Sequence, residues 1–248
     1  MPSLTLTAIP GLPRVQPGDD LSQLLHAALS DSALSLQEGD VLVVCQKVVS
    51  KAEGRVVALS SVEPSPFARQ IAASTDKDPR VVELVLREST RIVKMADGHL
   101  ICETGPGWVC ANAGIDESNG VGPGIATLLP LDPDASAERL RLALAPDTRI
   151  GIIITDTFGR PWRDGLTDVA LGAAGIGTLA DFRGRNDLDG RELHHTMLAV
   201  GDELAAAAGL LMEKDAGIAA VLVRGVRWDG TRGTGRDLIR PRELDLFR

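Results

Sequence analysis

The apolar run 152–154 leads into Thr155, Asp156 and Thr157, and Arg160, Arg163 and Asp164 follow within a few positions. A carboxylate flanked by hydroxyls offers oxygen donors of the kind that Mg2+ and Mn2+ take, usually with substrate phosphates and water completing the shell. Two guanidinium groups close behind could hold a second anion. The plainer reading of Asp156 as a helix N-cap is equally natural. A second cluster lies in QKVVSKAEGR, 46–55, where Lys47, Lys51 and Arg55 recur every fourth residue beside Ser50. It reads either as a phosphate clamp or as the solvated end of a strand and its following turn. The third is CANAGIDESNG, 110–120, in which Asp116, Glu117, Ser118 and Asn119 follow small residues. Such a run is commonly a polar turn, yet Asp116 could serve a metal and Asn119 a nucleotide. Asp116 and Asp156 together would make a carboxylate pair for one ion.

Other motifs fall short. GTRGTGRD, 230–237, has P-loop glycine spacing but places Arg236 and Asp237 where lysine and a hydroxyl are needed. GIGTLA and GPGIAT imitate part of a dinucleotide fingerprint without a clear strand before or helix after, and read as turns. The three cysteines, Cys45, Cys102 and Cys110, show no CxxC spacing and read as reduced core residues. His194 and His195 read as strand neighbours on opposite faces. A net charge of −8 argues against nucleic-acid binding, so a phosphate ligand must be met by local cations or bound metal. No apolar run reaches the roughly 18 residues of a membrane span, and the N-terminus lacks the pattern of a secretory signal. A cytoplasmic protein is expected.

These residues need a scaffold, and 248 residues at 44% hydrophobic can bury a substantial core. LTLTAI alternates as a strand, and Asp19 or Asp20 caps a helix with Leu21, Leu24, Leu25 and Ala28 on one face. VLVVCQKVVSKAEGR reads as an apolar strand turning basic. Ser65-Pro66 and Asp78-Pro79 each mark a helix start, giving helices over about 66–74 and 79–89. RIVKMA, HLICE and GWVCANAG form a meander turning at Asp97-Gly98. Asp134 caps a further helix, a strand runs over 149–155, and the small-residue segment DVALGAAG reads as helical. LADFRG and ELHHTML are strand-like, VGDELAAAAGLLMEK is the best helical stripe, IAAVLVRG is a last strand, and the tail from Arg227 reads as loose. Meanders mixed with helices predict an α+β fold with largely antiparallel mixed sheets.

Taken in order, GLPRVQPGDDL, VVSKAEGR, NAGIDESN, ITDTFGRPWRDG, GRNDLDGREL, AVGDELAAAAGLLM and VLVRG make the chain resemble the coenzyme F420 γ-glutamyl ligase family. The resemblance implies joining of L-glutamate to the deazaflavin precursor F420-0, with GTP as phosphate donor and Mg2+ or Mn2+ required. K+ is a further candidate ion. It implies a γ-glutamyl ligase-like fold, one ligase domain over 1–248 built as two intertwined subdomains, and an intertwined homodimer, without the nitroreductase-like domain of many bacterial relatives. GTP contacts are implied for Leu12, Pro13, Arg14, Val15, Gln46, Lys47, Lys51 and Asn119. One metal would fall on Asp116 and Asp156, a second on Thr157 and Glu213. Lys51, Asp116 and Asp156 would be catalytic, while the assignment of Arg160 and Arg163 to substrate rests on charge alone. Gln46 stands where relatives often carry a small hydroxyl residue, and Met212-Glu213-Lys214 replaces a more glycine-rich turn. A metal-dependent GTP hydrolase or kinase, or a non-catalytic GTP-binding protein, would use the same phosphate apparatus.

Overall fold

The computed structural model describes residues 2–96, 98–117, 124–227 and 230–246. Its central sheet holds β1 (Thr5–Ala8), β2 (Val41–Cys45), β8 (Gly151–Arg160), β9 (Arg163–Ala174) and β12 (Ala220–Arg224) in the order β1-β12-β2-β8-β9. The β2–β8 pair is parallel, and every other neighbour in this sheet is antiparallel. Strand alternation sends Leu42, Val44, Ile152 and Ile154 to one face and Val41, Val43 and Ile153 to the other. Both faces are covered, which is why β2 and the first half of β8 are uninterrupted apolar runs. On one face lie α1 (Leu21–Asp31), α2 (Gln46–Ala52) and α5 (Pro133–Leu144); on the other lies α6 (Val200–Met212).

Between β2 and β8 the chain builds a second core. It comprises β3 (Val56–Ala58), α3 (Pro66–Thr75), α4 (Pro79–Glu88), the antiparallel meander β4 (Ser89–Ala96), β5 (His99–Thr104), β6 (Val109–Ala111), and β7 (Ile125–Thr127), which pairs with β3. A small pair, β10 (Ala180–Asp181) and β11 (Met197–Leu198), completes the strands. The fold is thus mixed α+β with mostly antiparallel pairing, as the sequence predicts. The caps Asp20, Ser65 and Asp78 accept backbone N–H bonds at the expected helix starts.

Several expected elements differ. The basic stretch after β2 is helical, so Lys47 and Lys51 lie one turn apart on one face of α2. Asp132, not Asp134, caps α5, with Pro133 at its first position. Asp134 instead accepts from Ala173 N (2.8 Å) and Gly235 N (2.6 Å), tying the tail to β9. DVALGAAG belongs to β9: its small residues admit close neighbours, for a Cβ on Gly172 would clash with the Pro133 backbone. The tail is docked: Gly235 is buried against the Leu171 carbonyl, within a short 3-10 turn, Gly235–Leu238. His194 and His195 sit exposed in a bend and not in a strand. Cys102 and Cys110 are buried, Cys45 is half-buried, and all three are reduced.

Candidate functional site

The apolar strand does not stop at Asp156. Pairing of β2 with β8 ends at Cys45↔Thr155, while β8 runs on to Arg160, held only by β9. Asp156 and Thr157 are therefore the first residues of β8 beyond its pairing with β2. Alternation puts Asp156 on the α2 face, where the Gln46 amide bonds its carboxylate. Gln46 is itself buried and accepts from Ser50 Oγ at 2.8 Å. Asp156 keeps some accessible surface, yet burial pushes its pKa up to about 6, against the opposing pull of the Thr157 N–H, Gln46, Lys47 and Lys214. A carboxylate so placed lacks enough positive charge around it.

Lys47, on α2, forms an ion pair with Asp116 and also acts on Asp156. Asp116 is fixed by a two-way backbone bridge to Thr127, at 3.0 and 2.8 Å. Lys51, one turn further, has its pKa lowered by burial first and then by Lys47, with Arg14 adding to the effect. Three cations thus face one region beside two carboxylates, an arrangement suited to a polyanion. Leu12 and Val15 pack into the core beneath this region while Pro13 and Arg14 are exposed, and the loop is tied down by Gly18 N to Ala52 O at 3.0 Å. Arg55 leaves the proposed clamp: its guanidinium bonds Glu88 at 2.6 Å and the Leu129 carbonyl at 2.9 Å. Asn119 lies outside the described residues.

On the α6 face Thr157 Oγ1 donates to Asp168 Oδ1 at 2.6 Å and receives Lys214 Nζ at 2.6 Å. Asp168 and Lys214 escape sequence reasoning, the first because its segment reads as helix and because a register shift between Gly159 and Arg160, which no local pattern announces, is what sets Asp168 opposite Thr157. Glu213 is exposed at the end of α6, with φ 43°, next to Lys214. Arg160 and Arg163 pair across the exposed hairpin tip, where Arg160 bonds the Asp164 carbonyl at 2.9 Å. Arg160 lies four residue steps beyond Asp156 along the extended strand, about 13 Å. Among the described residues no three His, Cys, Asp or Glu side chains gather as a metal cage. Asp116, Asp156 and Thr157 nevertheless supply oxygen donors, and Mg2+ typically needs only one or two carboxylates with phosphate and water. A cavity of about 930 Å3 opens elsewhere, beside the start of α6 and Arg185, Arg227 and Arg232.

Residues 11–225, which span every candidate position above, match the family model described as F420-0:Gamma-glutamyl ligase. The chain belongs to the F420-0:gamma-glutamyl ligase family. It is 46% identical over 250 residues to the coenzyme F420:L-glutamate ligase of Methanothermobacter thermautotrophicus, covering 99% of each chain. To the protein of the same name from Methanopyrus kandleri it is 48% identical over 256 residues, covering 100% of this chain and 99% of the other. The Halobacterium salinarum relative is 46% identical over 224 residues, covering 88% and 85%. The gamma-glutamyl ligase family match ends at Gly225, before the docked tail. No described helix is long and apolar enough to cross a membrane.

Proposed function

We propose that this protein joins L-glutamate to coenzyme F420-0 at the expense of GTP. The observation that carries the reading is its near full-length identity to relatives named coenzyme F420:L-glutamate ligase. Grouping of Arg14, Lys47 and Lys51 beside Asp116 and Asp156 supports a nucleotide triphosphate as the co-substrate. A carboxylate is a poor electrophile, so its oxygen first attacks the γ-phosphorus of GTP; the bond to the β-phosphate oxygen breaks and GDP leaves. The amine of glutamate then attacks the acyl carbon, inorganic phosphate departs, and the amine loses a proton as the amide forms.

Lys47 and Lys51 hold the phosphates in line and offset the charge on the transferring group, the kind of help that phosphoryl transfer chiefly needs. Gln46 holds the Asp156 carboxylate in its rotamer. Asp116 and Asp156 would hold one divalent ion, Mg2+ or Mn2+, and Thr157 with Glu213 a second; bound there, such ions neutralise charge on the phosphate oxygens. Arg160 and Arg163 offer charge for the precursor's phosphodiester at the far end of the hairpin. That hairpin is exposed throughout residues 159–166, with Trp162 at 85% and Leu166 at 66%. These apolar side chains support a homodimer in which a second copy covers the arm.

The test is direct. Incubated with GTP, Mg2+ or Mn2+, glutamate and F420-0, the protein should yield a product heavier by one glutamyl residue, together with GDP and phosphate, as read by mass spectrometry. Turnover that is unchanged when glutamate is omitted would identify a GTP hydrolase or kinase instead, and GTP binding without phosphate release a non-catalytic binder. Replacing Lys51 by alanine should weaken GTP by roughly tenfold to a hundredfold, about 1.5 to 3 kcal/mol for a lost charge-assisted contact. The nucleotide-free melting temperature should scarcely change, as is usual for a partly exposed side chain outside the hydrophobic core. GTP-induced stabilisation equal to that of wild type would remove Lys51 from the site.

A further inference from the structure

Thr157 has a hydroxyl with one proton and two lone pairs, and the structure shows how they are shared out. The proton goes to Asp168 Oδ1 at 2.6 Å, directly across the β8–β9 ladder, and the ammonium of Lys214 donates to Thr157 Oγ1 at 2.6 Å. Asp168 packs against a glycine of α6 in this rotamer: a Cβ on Gly209 would sit 2.6 Å from Asp168 Oδ2 and push the carboxylate aside. A helix interior loses stability at glycine relative to alanine, so this glycine serves the carboxylate and not the helix. We infer that Asp168 is the positioning residue of the second cation site. It takes the Thr157 proton, turns the hydroxyl lone pairs outward, and supplies the negative charge that a cation on Thr157 needs. Lys214, exposed on the segment after α6, fills that place as the protein's own exchangeable cation. A divalent ion must displace it.

This inference rests on the proposed assignment of a second ion to Thr157, and the test separates the two. Mn2+ is titrated into wild type, Asp168→Asn and Lys214→Ala with a non-hydrolysable GTP analogue present, free Mn2+ being followed by electron paramagnetic resonance. Wild type should take up two ions. Asp168→Asn keeps the hydrogen-bond acceptor but loses the charge, and should weaken the second ion by tenfold or more while the first is unchanged. Lys214→Ala removes the competitor and should tighten the second ion severalfold. Two ions at wild-type affinities in Asp168→Asn, or both weakened alike, overturn the inference while leaving the two-ion assignment standing. Uptake of a single ion by wild type overturns both. Should Asp168→Asn fail to fold, Lys214→Ala decides, and an unchanged or weaker second ion counts against the role of Asp168.

Discussion

Asp156→Asn should lower ligase turnover by about a hundredfold or more and, at neutral pH, make the metal-free protein more stable. The loss of turnover follows from removing one negative charge from the carboxylate pair proposed to hold a divalent ion. The gain in stability follows from burial, which raises the Asp156 pKa from 3.8 to about 6. Between these values the folded chain binds a proton that the unfolded chain has released, so stability falls as pH rises from about 4 to about 6. Above pH 6 the full cost of the buried charge is present, on the order of 1 to 3 kcal/mol. Asparagine carries none of it and can still accept from Gln46. The melting temperature of the variant should therefore exceed that of wild type by roughly 2 to 4 °C per kcal/mol at pH 7 to 8. The difference should vanish below about pH 4, where the carboxyl is neutral in both states. Thermal melts without metal across this range, paired with turnover at limiting metal, check both halves. Normal turnover in the variant would return Asp156 to a purely structural role.

Gly235→Val should destabilise the protein by about 3 kcal/mol or more, as overpacking against rigid neighbours does. The atoms around a Cβ at this position are backbone of Leu171 and Gly172 in β9, not the yielding end of a side chain. Shifting the tail would also break the 2.6 Å bond from Gly235 N to Asp134 Oδ1, which accepts from Ala173 N as well. Denaturant unfolding measures the effect. A variant as stable as wild type would mean that the docking of the tail contributes nothing to the fold.

Much of the framework is legible in the residue order because its signals are local. Asp20, Ser65 and Asp78 announce helix starts within three residues, and the apolar runs of β2, β8 and β12 announce buried strands. Reading fails where tertiary contact outweighs propensity. The β-branched Val48 and Val49 look like strand yet lie in α2, and the alanines and glycines of β9 look like helix because small side chains serve close packing as well as helicity. The site divides in the same way. Lys47, Lys51, Asp116 and Asp156 are chemically conspicuous in sequence, but Arg55 in the same run is absorbed by Glu88, 33 positions away. Lys214 reaches Thr157 across 57 positions, a pairing that no local pattern could announce.

The Lys47–Asp116 ion pair joins two cores that the chain builds separately, for Lys47 follows β2 in the central sheet while Asp116 is bridged to β7 in the second. It acts as a rivet across a seam. A polyanion drawing Lys47 toward itself, with a cation taking its place on Asp116, would exchange one fastening for a stronger one. Ligand binding at that pair would then be linked to the association of the two cores as well as to the site itself.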